Sequence, residues 1–210
     1  MIRAGDMWIP STDTYFRRLL ESSGDKFDYG HLEKSVAYCK SRRVAVDGGA
    51  HVGTWSKHLS TMFDVVVAFE PSRDNYSCLL RNISDANIDN VITVNSALGE
   101  SSYRATVKQD FENSGATYLD RAVGDAFVTS LDEYKIIDLD YLKLDIEGFE
   151  PFALSGAEHV IKRFRPVILI EQKQETARYG LSYLMAGSLL ESWGFRLVAR
   201  YNKDYVYTSS

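Results

Sequence analysis

Val44-Ala45-Val46-Asp47-Gly48-Gly49-Ala50-His51-Val52-Gly53-Thr54-Trp55-Ser56 decides the fold, read with the run Val65-Val66-Val67-Ala68-Phe69-Glu70-Pro71 that follows it. An apolar β-run ends in an acid and a glycine-rich turn. The pattern then becomes helical, with Trp55, Leu59 and Met62 on one face. A second apolar run ends in Glu70, about twenty residues past the turn. This is a βαβ unit of a nucleotide-binding α/β fold.

The details narrow the ligand. A dinucleotide turn usually carries a glycine at the position held here by Ala50, and its helix start faces a pyrophosphate. Asp47, at the strand end, would repel a pyrophosphate and attract an ammonium group. S-adenosylmethionine carries an ammonium and a ribose but no phosphate. Asp47 is therefore expected to serve the amino-acid part of that cofactor, directly or through water, and Glu70 to accept from the ribose diol. A nicotinamide dehydrogenase fits less well, because of Ala50 and because no Tyr-x-x-x-Lys pair is evident.

Outward from this unit, strands and helices alternate. Strands are expected at Val44–Asp47, Val65–Glu70, Val91–Ala97, Tyr141–Asp145 and Pro166–Glu171. Helices are expected at Thr54–Met62, Asp74–Asn82, Pro151–Arg163 and Leu181–Trp193, with a short one starting at Ser130-Leu131-Asp132-Glu133. Arg104–Val107 and Phe127–Thr129 read as short extra strands. Phe195–Tyr201 and Tyr205–Thr208 flank Asn202-Lys203-Asp204 as a closing hairpin. The expected architecture is a mostly parallel seven-stranded α/β sheet, Rossmann-like, with an antiparallel C-terminal hairpin. Before it, residues 1–43 read as a helical extension or lid, and 44–210 as the cofactor-binding domain. In the extension Met7–Ile9 is extended, Ser11 or Thr12 caps a helix through Phe16 and Leu20, and His31–Lys40 forms a second helix.

A parallel sheet presents its ligand site at the carboxyl ends of its strands. Those ends offer Asp47, Glu70, Asp145 and Glu171, four carboxylates grouped closely enough to call for a ligand or cation. The cofactor is expected to touch the turn Asp47, Gly48, Gly49, Ala50, His51, Val52, Gly53 and Thr54. Beyond the turn it would meet Glu70, Pro71 and Ser72, then Ser96, Ala97 and Asp145. Asp145 would orient the acceptor or act as its base; Glu171 and His51 are further catalytic candidates. Asp145 and Glu171 could hold a divalent cation, but two acids alone do not specify one. Glu147 could cap a turn or join the site, and Glu150, at a helix start, reads as structural. Asn113-Ser114-Gly115-Ala116 could border the cofactor. No Ser/His/Asp or Cys/His arrangement stands out.

The whole chain sets outer limits. At 210 residues it is long enough for a full core, and 45% hydrophobic and 12% aromatic content fits a globular protein. A net charge of −5 argues against a large nucleic-acid footprint. Cys39 and Cys78 lack metal spacing and point to a reducing, cytoplasmic setting. No membrane-spanning run is expected, and Met1–Asp6 lacks the apolar stretch of a signal peptide.

Several segments together resemble the FkbM-type family of class I S-adenosylmethionine-dependent methyltransferases. They are Val46–Gly53, Ala68-Phe69-Glu70-Pro71, Asn95-Ser96-Ala97-Leu98-Gly99, Ser130-Leu131-Asp132, Leu142-Lys143-Leu144-Asp145-Ile146-Glu147-Gly148-Phe149-Glu150 and Arg165–Glu171. The Lys-Leu-Asp-Ile-Glu-Gly segment is the most specific of them. The resemblance implies the seven-stranded class I fold and O-methylation of a sugar or other small hydroxylated metabolite. It implies cofactor contacts at Asp47, Gly49, Gly53, Glu70 and Ala97, and an active-site place for Asp145. His51 stands where the family often has Asn, and Gly48 where it often has a hydrophobic residue. Two other readings stay open: a catalytically silent cofactor-binding or scaffold domain, and a nucleic-acid methyltransferase. The latter is disfavoured by the acidic charge and the lack of an Asn/Asp-Pro-Pro-Tyr motif.

Overall fold

Five of the apolar runs form parallel strands, and the four inner ones are largely buried on both faces, which is why they read as near-continuous hydrophobic stretches rather than alternating ones. In the computed structural model, which describes residues 1–24 and 29–209, these are β3 (Val44–Gly48), β4 (Val65–Phe69), β5 (Val91–Val94), β10 (Tyr141–Leu144) and β11 (Val167–Glu171). They pair in parallel in the order β11-β10-β3-β4-β5. The closing hairpin, β12 (Phe195–Tyr201) and β13 (Asp204–Ser209), extends this sheet to seven strands, with β13 antiparallel to β11. The expected fold is the observed one.

Helices cover both faces. Leu142, Leu144, Ile168 and Ile170 pack against α5 (Glu150–Ser155), α6 (Glu158–Phe164) and α7 (Met185–Ser192). On the other face Ala45, Val66, Tyr141 and Leu169 meet Leu32 and Val36 of α2 (Tyr29–Val36) and Leu59 of α3 (Thr54–Leu59). The N-terminal residues form a hairpin, β1 (Ile2–Ala4) and β2 (Met7–Ile9), then α1 (Thr14–Ser23). Met7, Ile9, Phe16 and Leu20 share one core cluster with Val52 and with Cys78 of α4 (Arg73–Asp85).

Several boundaries differ from expectation. The N-cap of α1 is Asp13, whose carboxylate accepts from Phe16 N–H at 2.7 Å, rather than Ser11 or Thr12. The run Val91–Ala97 breaks at Asn95, whose amide donates to Glu70 O (2.8 Å). Beyond the break, β6 (Ala97–Leu98) joins a second sheet, in the order β6-β9-β7-β8, with β7 (Tyr103–Lys108), β8 (Tyr118–Asp120) and β9 (Ala126–Thr129). The helix expected over Pro151–Arg163 is two, α5 and α6. Gly156 sits between them, so close to a neighbouring strand end that a Cβ would lie 2.0 Å from Gly99 O. Ser130–Glu133 makes tight turns instead of a helix, and Asp132 accepts from the His159 and Val160 amides at the start of α6. The expected helix His31–Lys40 ends at Val36. Residues 25–28, within the expected N-terminal extension, lie outside the described residues.

Candidate active site

The β3–α3 turn is shaped by its backbone. Gly49 has φ +76°, and a Cβ there would lie 1.9 Å from Asp145 O, so only glycine lets β3 and β10 end side by side. His51 also has positive φ, at 54°, a region in which Asn, Asp and His are enriched among side chains. A histidine therefore suits this position of the turn. His51 N–H donates to Glu70 Oε2 and Ser72 N–H to Glu70 Oε1, both at 2.8 Å. Burial raises the Glu70 carboxyl to about 7, with the two amides pulling the other way. With the two amides and the Asn75 side chain beside it, the carboxylate still has lone-pair capacity for a further donor.

Over the strand ends lie two adjoining cavities. The larger, about 610 Å³, is bordered by Gly49, Glu70, Pro71, Ala97, Asp145 and the Asn113–Leu119 segment. The smaller, about 160 Å³, lies toward β11 and β13 and is bordered by His31, Trp55, Lys143, Glu171 and Asp204. Gly49, His51, Asp145 and Lys203 border both. Ala50 and Thr54 face the smaller cavity only. Of the expected contacts, Asp47, Gly48, Val52, Gly53 and Ser96 border neither; they build the floor and the turn. Ser72 caps α4 and faces a separate surface pocket beside Pro71.

The Asp47 side chain is fully buried, ion-paired with Lys143 Nζ at 2.9 Å and accepting from Ser56 Oγ at 2.6 Å. Lys143 Nζ also donates to Gly49 O at 2.8 Å. Asp47 therefore fixes Lys143 and the turn from below.

Asp145, Glu147 and Glu171 bring carboxylate oxygens within 4.8 Å of one another. Lys173 sits among them, against Glu171, 2.9 Å from Glu147 and 3.8 Å from Asp145. The charge that a divalent cation would neutralise is thus met by an ammonium of the chain itself. Burial, then the charge of Asp145, pushes Glu171 well above the usual carboxylate range. Burial opposes ionisation of Asp145, but a hydrogen bond from Glu171 and the charges of Lys173 and Lys143 outweigh it and hold Asp145 well below the usual range. Within this pair Asp145 is pushed toward the charged form and Glu171 toward the protonated one. Glu147 serves Lys173. Glu150 accepts from Ile146 N–H at 2.9 Å, the structural part expected of it.

His51 is committed to the cleft's cover. Its Nε2 lies 2.6 Å from Ser114 Oγ, while Ser114 donates to the Asp13 carboxylate, which can only accept. Ser114 Oγ therefore accepts from His51 Nε2–H, leaving Nδ1 as the ring's acceptor. Burial drops His51 to about 4, so the ring is neutral at ordinary pH. Ser114 N–H also donates to Asp13 (2.8 Å), and Asn75 Nδ2 donates to Ser114 O (3.2 Å). This knot ties α1, α4 and the loop before β8 over the larger cavity. Sequence reading missed Asn75, Lys143, Lys173 and the His31–Asp204 pair (3.0 Å). Only the polar Asn113–Ala116 turn signalled the knot.

The fold recurs widely among solved methyltransferase structures. The methyltransferase FkbM from Methylobacillus flagellatus KT aligns with a TM-score of 0.58 at 19% identity, over 97% of this chain and 48% of that one. The chain thus spans about half the length of that protein. An rRNA methylase from Streptococcus thermophilus aligns with a TM-score of 0.51 at 13% identity, over 86% and 95% of the two chains. A methyltransferase candidate from Streptococcus mutans in complex with SAH aligns with a TM-score of 0.54 at 9% identity, over 85% and 94%. At such identities the likeness shows the fold alone. No curated protein sequence matches the chain. The family model described as "Methyltransferase FkbM domain" matches residues 47–197, from Asp47 of β3 into β12, and the chain belongs to that family.

Proposed function

We propose that the protein is an S-adenosylmethionine-dependent O-methyltransferase that acts on a hydroxyl of a sugar or another small hydroxylated metabolite. The observation that carries this reading is the meeting of two unlike cavities at Asp145. The larger has room for a nucleoside beside Glu70, whose free lone pairs suit a diol. The smaller pairs one aromatic wall, Trp55, with polar groups from His31, Lys143, Glu171 and Asp204. Apolar rings and dispersed hydrogen-bonding groups suit a polyol or saccharide unit. With Asp145 pushed toward the charged form and Glu171 toward the protonated one, the wall suits hydroxyls that both donate and accept.

S-adenosylmethionine, when bound, supplies a methyl group activated by its sulfonium. The chain's part is alignment, and it comes from rigid elements: the Gly49 turn and the end of β10. Asp145 accepts a hydrogen bond from the acceptor hydroxyl, turns the oxygen's lone pair toward the larger cavity, and takes the proton as the new bond forms. Lys173 answers the charge of the cluster, so a metal is not called for. The neighbouring rRNA methylase structure gives nucleic acid as a second acceptor class. The chain's net charge of −5 and the small second cavity favour the metabolite.

The test is calorimetric titration with S-adenosylmethionine and, separately, NAD, followed by turnover with a panel of sugars. Binding of the former alone is expected. Asp145→Asn should keep cofactor affinity within about twofold and lower turnover by about 10²–10⁴, the usual contribution of an acid–base group. Equal turnover in the variant would remove Asp145 from the chemistry.

A further inference from the structure

Asn75 lies in the first turn of α4, its amide N–H donating to the Ser72 cap at 3.4 Å. Its residue is 1% exposed, yet it borders the 610 Å³ cavity. Nδ2 donates to Ser114 O, but Oδ1 finds no donor in the protein. Turning the amide over would set two acceptors, Oδ1 and Ser114 O, against each other, so the hydrogen-bond network fixes which atom is left over. A buried amide oxygen without a donor is costly, and native structures rarely keep one for no purpose.

Its neighbour gives the purpose. The Asn75 side chain lies against Glu70 and supports its charge. Both Glu70 oxygens already take one backbone amide each. The corner therefore holds three acceptor atoms on two side chains that border one cavity. The ligand that fits must bring several donors on one short edge, as a vicinal diol does. Resting on the cofactor reading above, we propose that Asn75 Oδ1 accepts one of the two ribose hydroxyls of the cofactor beside Glu70. Asn75 is thereby a specificity-determining residue for ribose, outside the glycine turn and the strand-end acid. A 2′- or 3′-deoxy nucleoside would leave Oδ1 unpaired and is rejected.

The experiment is calorimetry with S-adenosylhomocysteine, its 2′-deoxy and 3′-deoxy analogues, and the analogue lacking the purine amine, on the wild-type chain and on Asn75→Ala and Asn75→Asp. For the wild type, removing one of the two hydroxyls should weaken binding by about tenfold or more. In Asn75→Ala, S-adenosylhomocysteine should bind about tenfold more weakly, and removing that same hydroxyl should cost less than about threefold. Asn75→Asp keeps an acceptor oxygen but loses the donor to Ser114, so it should retain the hydroxyl discrimination. Wild-type affinity in Asn75→Ala overturns the proposal. So does an equal loss for every analogue, which would mean that Asn75 only holds the Ser114 loop. Coupling to the purine amine instead of a hydroxyl overturns the ribose assignment. Failure of the wild type to bind S-adenosylhomocysteine at all would bring down the cofactor reading itself.

Discussion

Glu70 and Lys143 show how single buried groups govern this site. Glu70, raised by burial to about 7, is half-protonated near neutral pH in the free protein. A diol donates hydrogen bonds best to the ionised carboxylate, so its binding favours loss of that proton. Cofactor affinity should therefore rise as pH increases through about 7 and level off above it. Glu70→Gln should bind more weakly, by about 1–3 kcal/mol, with that pH dependence gone; titration calorimetry from pH 5.5 to 8.5 reads both. Lys143 makes a buried pair with Asp47. Lys143→Met would strand a carboxylate with 0% side-chain exposure and should cost about 3–5 kcal/mol in urea unfolding. The two residues differ in how legible they were. Glu70 ends an apolar strand at the spacing of a nucleotide-binding unit, so its place followed from pattern alone. Lys143, in Leu142-Lys143-Leu144, reads like the polar member of an alternating strand. Its true setting depends on β10 being central in the sheet, a fact of assembly rather than of local sequence. Asn75 and Lys173 were hidden for the same reason: each acquires its partners only when distant elements meet.

The elements that position the site are tied by side chains to backbone. Asn82 of α4 accepts from Trp8 N–H (2.6 Å) and donates to Trp8 O (2.9 Å) and Val52 O (2.8 Å). One amide thus clamps β2, α4 and the start of α3 together. Asn82→Ala would leave those backbone groups unpaired and should destabilise the protein by about 1–3 kcal/mol in denaturant titration, with the N-terminal hairpin losing hydrogen-exchange protection first. Element identities were largely readable, because the parallel strands are long apolar runs and the helices carry 3.6-residue periodicity. Their ends were not. Where Val91–Ala97 parts at Asn95 and where α5 parts from α6 at Gly156 are set by contacts with Glu70 O and Gly99 O, which no local pattern records.

At the scale of the molecule, the seven-stranded sheet puts its parallel carboxyl ends on one rim and gathers there residues from across the sequence, from Asp47 to Glu171. A ligand on that rim braces β3, β4 and β10 at once, so its binding should be felt globally. S-adenosylmethionine at about 100 times its Kd should add ~2.7 kcal/mol, a rise in Tm of about 5–10 °C for a chain of this size, while NAD should add nothing; thermal denaturation reads the difference. Among the described residues no helix is long and apolar enough to cross a membrane. The Asp13 knot carries a consequence for time rather than for energy. One carboxylate both starts α1 and fastens Ser114 over the larger cavity. The cover therefore lifts only by giving up contacts at the first residues of α1, which makes that helix start the expected brake on entry and departure.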